Sequence, residues 1–77
     1  MRISKENYKA WVTQLNRDIV DINAVTYDPI LNLGDKFELG FRGKYHRVCL
    51  IKNGETIACG IREITDAIVR YKRKYQL

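Results

Sequence analysis

With 77 residues the chain has room for a single domain, residues 1–77, that buries only ~60% of the surface its unfolded form would expose. At 45% hydrophobic and 30% charged it has an ordinary globular composition, and its longest uncharged run, Val25 to Leu33 once Asp28 is allowed, is far too short to cross a bilayer. The charge is lopsided: residues 1–36 carry five Lys/Arg and five Asp/Glu, whereas residues 37–77 carry nine and four and so supply the whole net +5. Such a field favours an anionic partner.

The segment Met1-Arg2-Ile3-Ser4-Lys5-Glu6 lacks the apolar run and small-residue cleavage site of a secretory signal. The expected location is therefore cytoplasmic, with no membrane partner and with cysteines kept reduced.

Tyr8, Trp11, Val12, Leu15, Ile19 and Ile22 recur at the three-and-four spacing of one helical stripe, which predicts a helix over about residues 4 to 22. Ser4 is its N-cap and Glu6 suits the dipole of the first turn, while Asp18 and Asp21 fall on the solvated side. β-branched residues and Asp28-Pro29 then end the helix, leaving a loop from Asn23 to Asp35.

From Lys36 the period changes to two. A two-residue loop at Asn53-Gly54 sets Lys52 opposite Glu55, Leu50 opposite Ile57 and Val48 opposite Cys59. A second at Arg42-Gly43 sets Phe41 opposite Lys44, Leu39 opposite His46 and Phe37 opposite Val48. Both turns place Phe37, Leu39, Phe41, Val48, Leu50, Ile57 and Cys59 on one core face. Arg47, Cys49, Ile51, Thr56 and Ala58 take the other, with Glu38 across from Arg47.

Ile61, Ile64, Ala67, Ile68, Tyr71 and Tyr75 make the apolar stripe of a last helix, about Arg62 to Tyr75, with acidic residues near its start and Arg70 to Lys74 near its end. An Asp66–Arg70 pair at i,i+4 would support it. The expected architecture is α+β: a two-layer αβββα fold in which a three-stranded antiparallel meander has both helices on one face.

The order αβββα resembles that of the double-stranded RNA-binding domain. The resemblance covers the order of elements and no motif. In that family the basic cluster opens the second helix, where this chain reads Arg62-Glu63-Ile64-Thr65-Asp66, and the long loop between the first two strands is replaced by the tight Arg42-Gly43 connection.

Catalytic chemistry finds little support. His46 is the only histidine, no Cys-x-x-Cys is present, and the expected register points Cys49 and Cys59 to opposite faces, which leaves two separate thiols. His46 and Cys49, three apart on a strand, project to opposite sides. The glycines build no phosphate-cradling loop: Gly43 and Gly54 serve turns, Gly60 opens the last helix and Gly40 relieves a strand or marks a bulge. Neither an enzyme nor a cofactor is expected.

Binding remains, and two surfaces compete for it. The basic one comprises Arg42, Lys44, Tyr45 and Arg47 of the first hairpin with Arg70, Lys72, Arg73 and Lys74 of the helix, and it suits nucleic acid, DNA or RNA. The other is the outer sheet face, Tyr45, Cys49, Ile51, Thr56 and Ala58, which suits a larger protein or a second copy of the chain. The leading expectation is a non-catalytic nucleic-acid-binding accessory protein. Its rival is a protein-interaction or regulatory module.

Overall fold

Ser4 starts the first helix as expected, its Oγ accepting the Asn7 N–H at 3.1 Å. In the computed structural model, which describes residues 3–77, helix α1 spans Lys5–Thr26 and buries Leu15, Ile19 and Ile22. Met1 and Arg2, part of the N-terminal segment read above, lie outside the described residues.

α1 continues four residues beyond its expected end because tertiary bonds override the weak helix preference of its last turn. The Asn23 side chain accepts the Phe37 N–H at 2.7 Å and donates to the Phe37 carbonyl at 2.8 Å. Thr26 Oγ1 lies 3.0 Å from the Ile22 carbonyl oxygen and 2.7 Å from that of Asp35.

The expected loop from Asn23 to Asp35 holds a short antiparallel ladder, β1 (Tyr27–Asp28) with β2 (Leu33–Gly34). The Asp28 carboxylate accepts the N–H groups of Ile30 and Leu31 at 2.9 and 3.2 Å, and Tyr27 bonds Asn32. Gly34 has φ +96°, and a Cβ there would overlap the Thr26 carbonyl oxygen. Gly34→Ala should therefore cost at least about 2 kcal/mol. Ile30, 91% exposed at the tip, should change by no more than about 0.5 kcal/mol when replaced by Ser. Urea denaturation of the two variants checks both figures.

Strands β3 (Phe37–Arg42), β4 (Arg47–Lys52) and β5 (Glu55–Cys59) form the meander in the order β3-β4-β5. Asn53 and Gly54 both have positive φ, 52° and 84°, which the favoured two-residue hairpin loop requires. Asn53 Oδ1 also accepts the Lys36 N–H at 2.9 Å, tying this turn to the start of β3.

The β3–β4 register departs from expectation. The connection is the four-residue loop Gly43-Lys44-Tyr45-His46, closed by His46 N–H to the Gly43 carbonyl at 3.2 Å, so that Phe37 lies opposite Lys52, Leu39 opposite Leu50, Phe41 opposite Val48 and Arg42 opposite Arg47. His46 thus sits in a turn at φ +50° rather than on a strand facing the core. Glu38 lies opposite Ile51, not Arg47, and pairs with Lys36 at 3.7 Å. The shift is four residues, so every β3 side chain keeps its predicted face.

β5 holds the larger correction. Its pairing begins as expected, with Lys52 opposite Glu55 and Ile51 opposite Thr56, but a bulge then sets Leu50 opposite Ala58 and Cys49 opposite Cys59. Ile57 is the extra residue and is 37% exposed, whereas Ala58 is buried in the core. The expected outward Ala58 and inward Ile57 have exchanged places. Cys49 and Cys59, now direct neighbours on one face with Cα atoms 4.2 Å apart, form a disulfide instead of two separate thiols.

Helix α2 spans Ile61–Lys74 with Gly60, φ +84°, as its N-cap residue, and Glu63 accepts the Cys59 N–H at 3.1 Å. Two contacts fix how it lies on α1. Trp11 Nε1 donates to Thr65 Oγ1 at 3.0 Å, and Lys72 Nζ meets Asp18 Oδ1 at 3.2 Å. They occur in the same order along both helices, which therefore run parallel. The two helices and the meander share one core of Leu15, Ile19, Ile22, Phe37, Val48, Leu50, Ala58, Ile64, Ala67 and Ile68. Each of its Leu, Ile, Val and Phe side chains contributes ~1.5–3 kcal/mol by leaving water.

Asp18, expected on the solvated side, is buried, and Gln14 also donates to it at 3.1 Å. Lys72→Met would leave this carboxylate short of its cationic partner. The expected loss is about 1–3 kcal/mol, read by urea denaturation at pH 7.

Candidate nucleic-acid interface

The β3–β4 hairpin ends in an uninterrupted basic stretch, since no acidic residue lies between Glu38 and Glu55. Four of the expected contact residues, Arg42, Lys44, Tyr45 and Arg47, are brought together and exposed there. Tyr45 is 87% exposed in the loop, and Phe41, expected in the core, is 57% exposed. The register places Arg42 directly opposite Arg47 on the same face of the ladder, an arrangement of like charges that destabilises the pair unless something negative lies across it. Gly60 leaves room for the Arg47 guanidinium, whose Nη2 stands 2.9 Å from where a Cβ of that residue would be.

The other four expected residues, Arg70, Lys72, Arg73 and Lys74, are not part of this cluster. Gly60 at the start of α2 bonds Val48 beside the hairpin end, while Tyr71 packs edge-on against Phe37 at 4.9 Å, opposite Lys52 at the far end of the strands. The five steps of β4 between Arg47 and Lys52 span roughly 17 Å. The two basic groups therefore occupy opposite ends of the sheet. Within the tail, Lys72 turns inward to Asp18 and Lys74 Nζ lies 5.5 Å from the centre of the Tyr75 ring. Arg70 and Arg73 are exposed, and the whole group sits where cations stabilise a helix C-terminus.

The outer sheet face differs from the open apolar surface that the sequence implies. Cys49 is 0% exposed and Ile51 is buried, the first bonded to Cys59, the second with its Cδ1 filling the space above Gly40. Of the residues expected to meet a partner there, Tyr45 and Thr56 are exposed, whereas Ala58 faces the core.

Phe41 was expected next to the turn with its side chain in the core, and His46 on a strand facing the core; the structure exposes both at the hairpin end. The uniform charge of the run from Arg42 to Arg47 was their available signal, because a longer loop exposes such a run more fully than a tight one. Among the described residues no group of three His, Cys, Asp or Glu is placed to hold a metal ion, and no helix is long and apolar enough to cross a membrane. Compared with known proteins, the chain matches no family model, and neither a curated protein nor a solved structure is significantly similar to it.

Proposed function

We propose that this protein is a non-catalytic accessory protein that binds nucleic acid through its β3–β4 hairpin end. In this reading both helices lie over one side of the sheet, and the hairpin end is left to the ligand. Arg42, Lys44 and Arg47 meet phosphates, and Tyr45 offers a ring on which a base stacks. Arg70, Arg73 and Lys74 at the other end add to the long-range field that attracts a polyanion and contribute less to the bound state. The observation that carries the reading is Arg42 opposite Arg47, a like-charge pair that a bridging phosphate would turn from a cost into a gain.

Fluorescence anisotropy of the protein with labelled single- and double-stranded DNA and RNA at two salt concentrations tests it. Binding in the micromolar range or tighter that weakens steeply with salt supports the hairpin as a phosphate site. Flat titrations at low salt overturn the reading and turn the search to a protein partner or a second copy of the chain.

A further inference from the structure

The sequence and the observed pairing specify two different registers for the second half of β5. Continuing the Asn53-Gly54 hairpin without interruption would place Ile57 opposite Leu50 and Cys59 opposite Val48, with Ile57 in the core and Ala58 outside. The structure has the alternative, in which Ile57 is extruded, Ala58 takes the core position opposite Leu50, and Cys59 lies beside Cys49. A one-residue slip exchanges every side chain between faces, so the disulfide can form only in the bulged register. The hydrophobic pattern favours the other one, since it buries an isoleucine where the bulged strand buries an alanine.

We propose that the Cys49–Cys59 bond is a redox switch that sets the register of β5. Oxidised, it holds the bulge. Reduction by a dithiol releases the strand, and its second half slides by one residue so that Ile57 enters the core, Ala58 turns outward and Cys59 moves to the face opposite Cys49. Cys59 is half-buried and Cys49 fully buried, so the reductant's thiolate attacks the Cys59 sulfur and Cys49 leaves as thiolate. The second thiol of the reductant then displaces Cys59. Two electrons and two protons pass to the protein, which ends with two thiols, and the reductant ends as a cyclic disulfide.

Gly60 follows directly on Cys59 and is the hinge through which the slip reaches the rest of the molecule. Its N–H bonds Val48, it begins α2, and the Arg47 guanidinium lies over it. Sliding β5 removes that seat and re-aims Arg47, so the redox state acts on the hairpin end. The register change itself stands independently of any nucleic-acid reading.

The test is nuclear Overhauser spectroscopy on the intact chain, air-oxidised and then in excess dithiothreitol, with free thiols counted by mass after alkylation. Oxidised protein should show no free thiol and cross-strand proximity of Leu50 to Ala58. The reduced protein should show two thiols, with Leu50–Ile57 and Val48–Cys59 proximities in its place, and reoxidation should reverse the change. A Cys49→Ser/Cys59→Ser chain should hold the slid register without reductant. An Ile57→Thr chain, which lacks the apolar side chain that drives the slip, should keep Leu50 beside Ala58 after reduction. A reduced wild-type chain that keeps Leu50 beside Ala58 or unfolds, an Ile57→Thr chain that slides, or an oxidised preparation with both thiols free overturns the proposal. An unchanged register combined with unchanged nucleic-acid binding would sink the switch and leave the proposed function standing.

Discussion

Phe37→Ala should lower the melting temperature by roughly 15–30 °C, the largest loss expected from any single truncation in this fold. The ring is fully buried, meets Tyr71 edge-on at 4.9 Å and has the Lys52 ammonium 6.0 Å from its centre. Removing such a ring costs ~3–5 kcal/mol, while a domain of this size holds a total stability on the order of 4–12 kcal/mol. Its position makes collapse of the resulting cavity difficult, because Asn23 pins the Phe37 backbone through both its N–H and its carbonyl. Circular dichroism melts of Phe37→Ala and Asn23→Ala should fall in that order. The Asn23 variant loses about 1–3 kcal/mol, because the part-buried N–H and carbonyl of Phe37 that it frees keep some access to water. A Phe37→Ala protein that melts within a few degrees of wild type would show that the ring does not anchor the two helices to the sheet.

The second large effect concerns binding. Arg42→Ala/Arg47→Ala should weaken nucleic-acid binding at least tenfold and reduce the slope of log affinity against log salt by about two, one for each phosphate that is no longer neutralised. Fold stability should hold or rise slightly, since the substitution removes a directly opposed pair of like charges. Arg73→Ala/Lys74→Ala is the control: it removes the same charge at the other end of the sheet and should leave most of the affinity intact. Should the tail variant lose binding while the hairpin variant retains it, the interface lies at the C-terminal end of α2 and the assignment made above fails.

The parts of this fold that depend on period were legible in the sequence, and those that depend on a single inserted residue were not. Phe37, Leu39, Val48 and Leu50 reach one face whether the first hairpin has a two- or a four-residue loop, because strand side chains alternate and the two registers differ by an even number. The bulge at Ile57 changes that parity at one position and leaves no periodic trace. One clue was present. Around an Asn53-Gly54 turn the regular partner of Cys49 is Ala58, so a second cysteine one place beyond it marks a strand in which an extra residue brings the thiols together. The length of α1 was hidden for another reason, since Asn23 and Thr26 stay helical through bonds to Phe37 and Asp35, residues distant in sequence. At the candidate site the charge run named the hairpin, but only the true register could reveal two arginines side by side and a helix tail at the opposite end.

The parallel docking of the two helices also governs the order in which this chain can fold. Trp11–Thr65 and Asp18–Lys72 join partners 54 residues apart, whereas the meander between them is built from neighbours. On a ribosome the hairpins form as they emerge and α1 can join β3 through Asn23 and Phe37, but its contacts with α2 must wait until residue 72 is free. Docking of α2 is therefore the step that completes the core, and it closes a loop of 54 residues between the two helices.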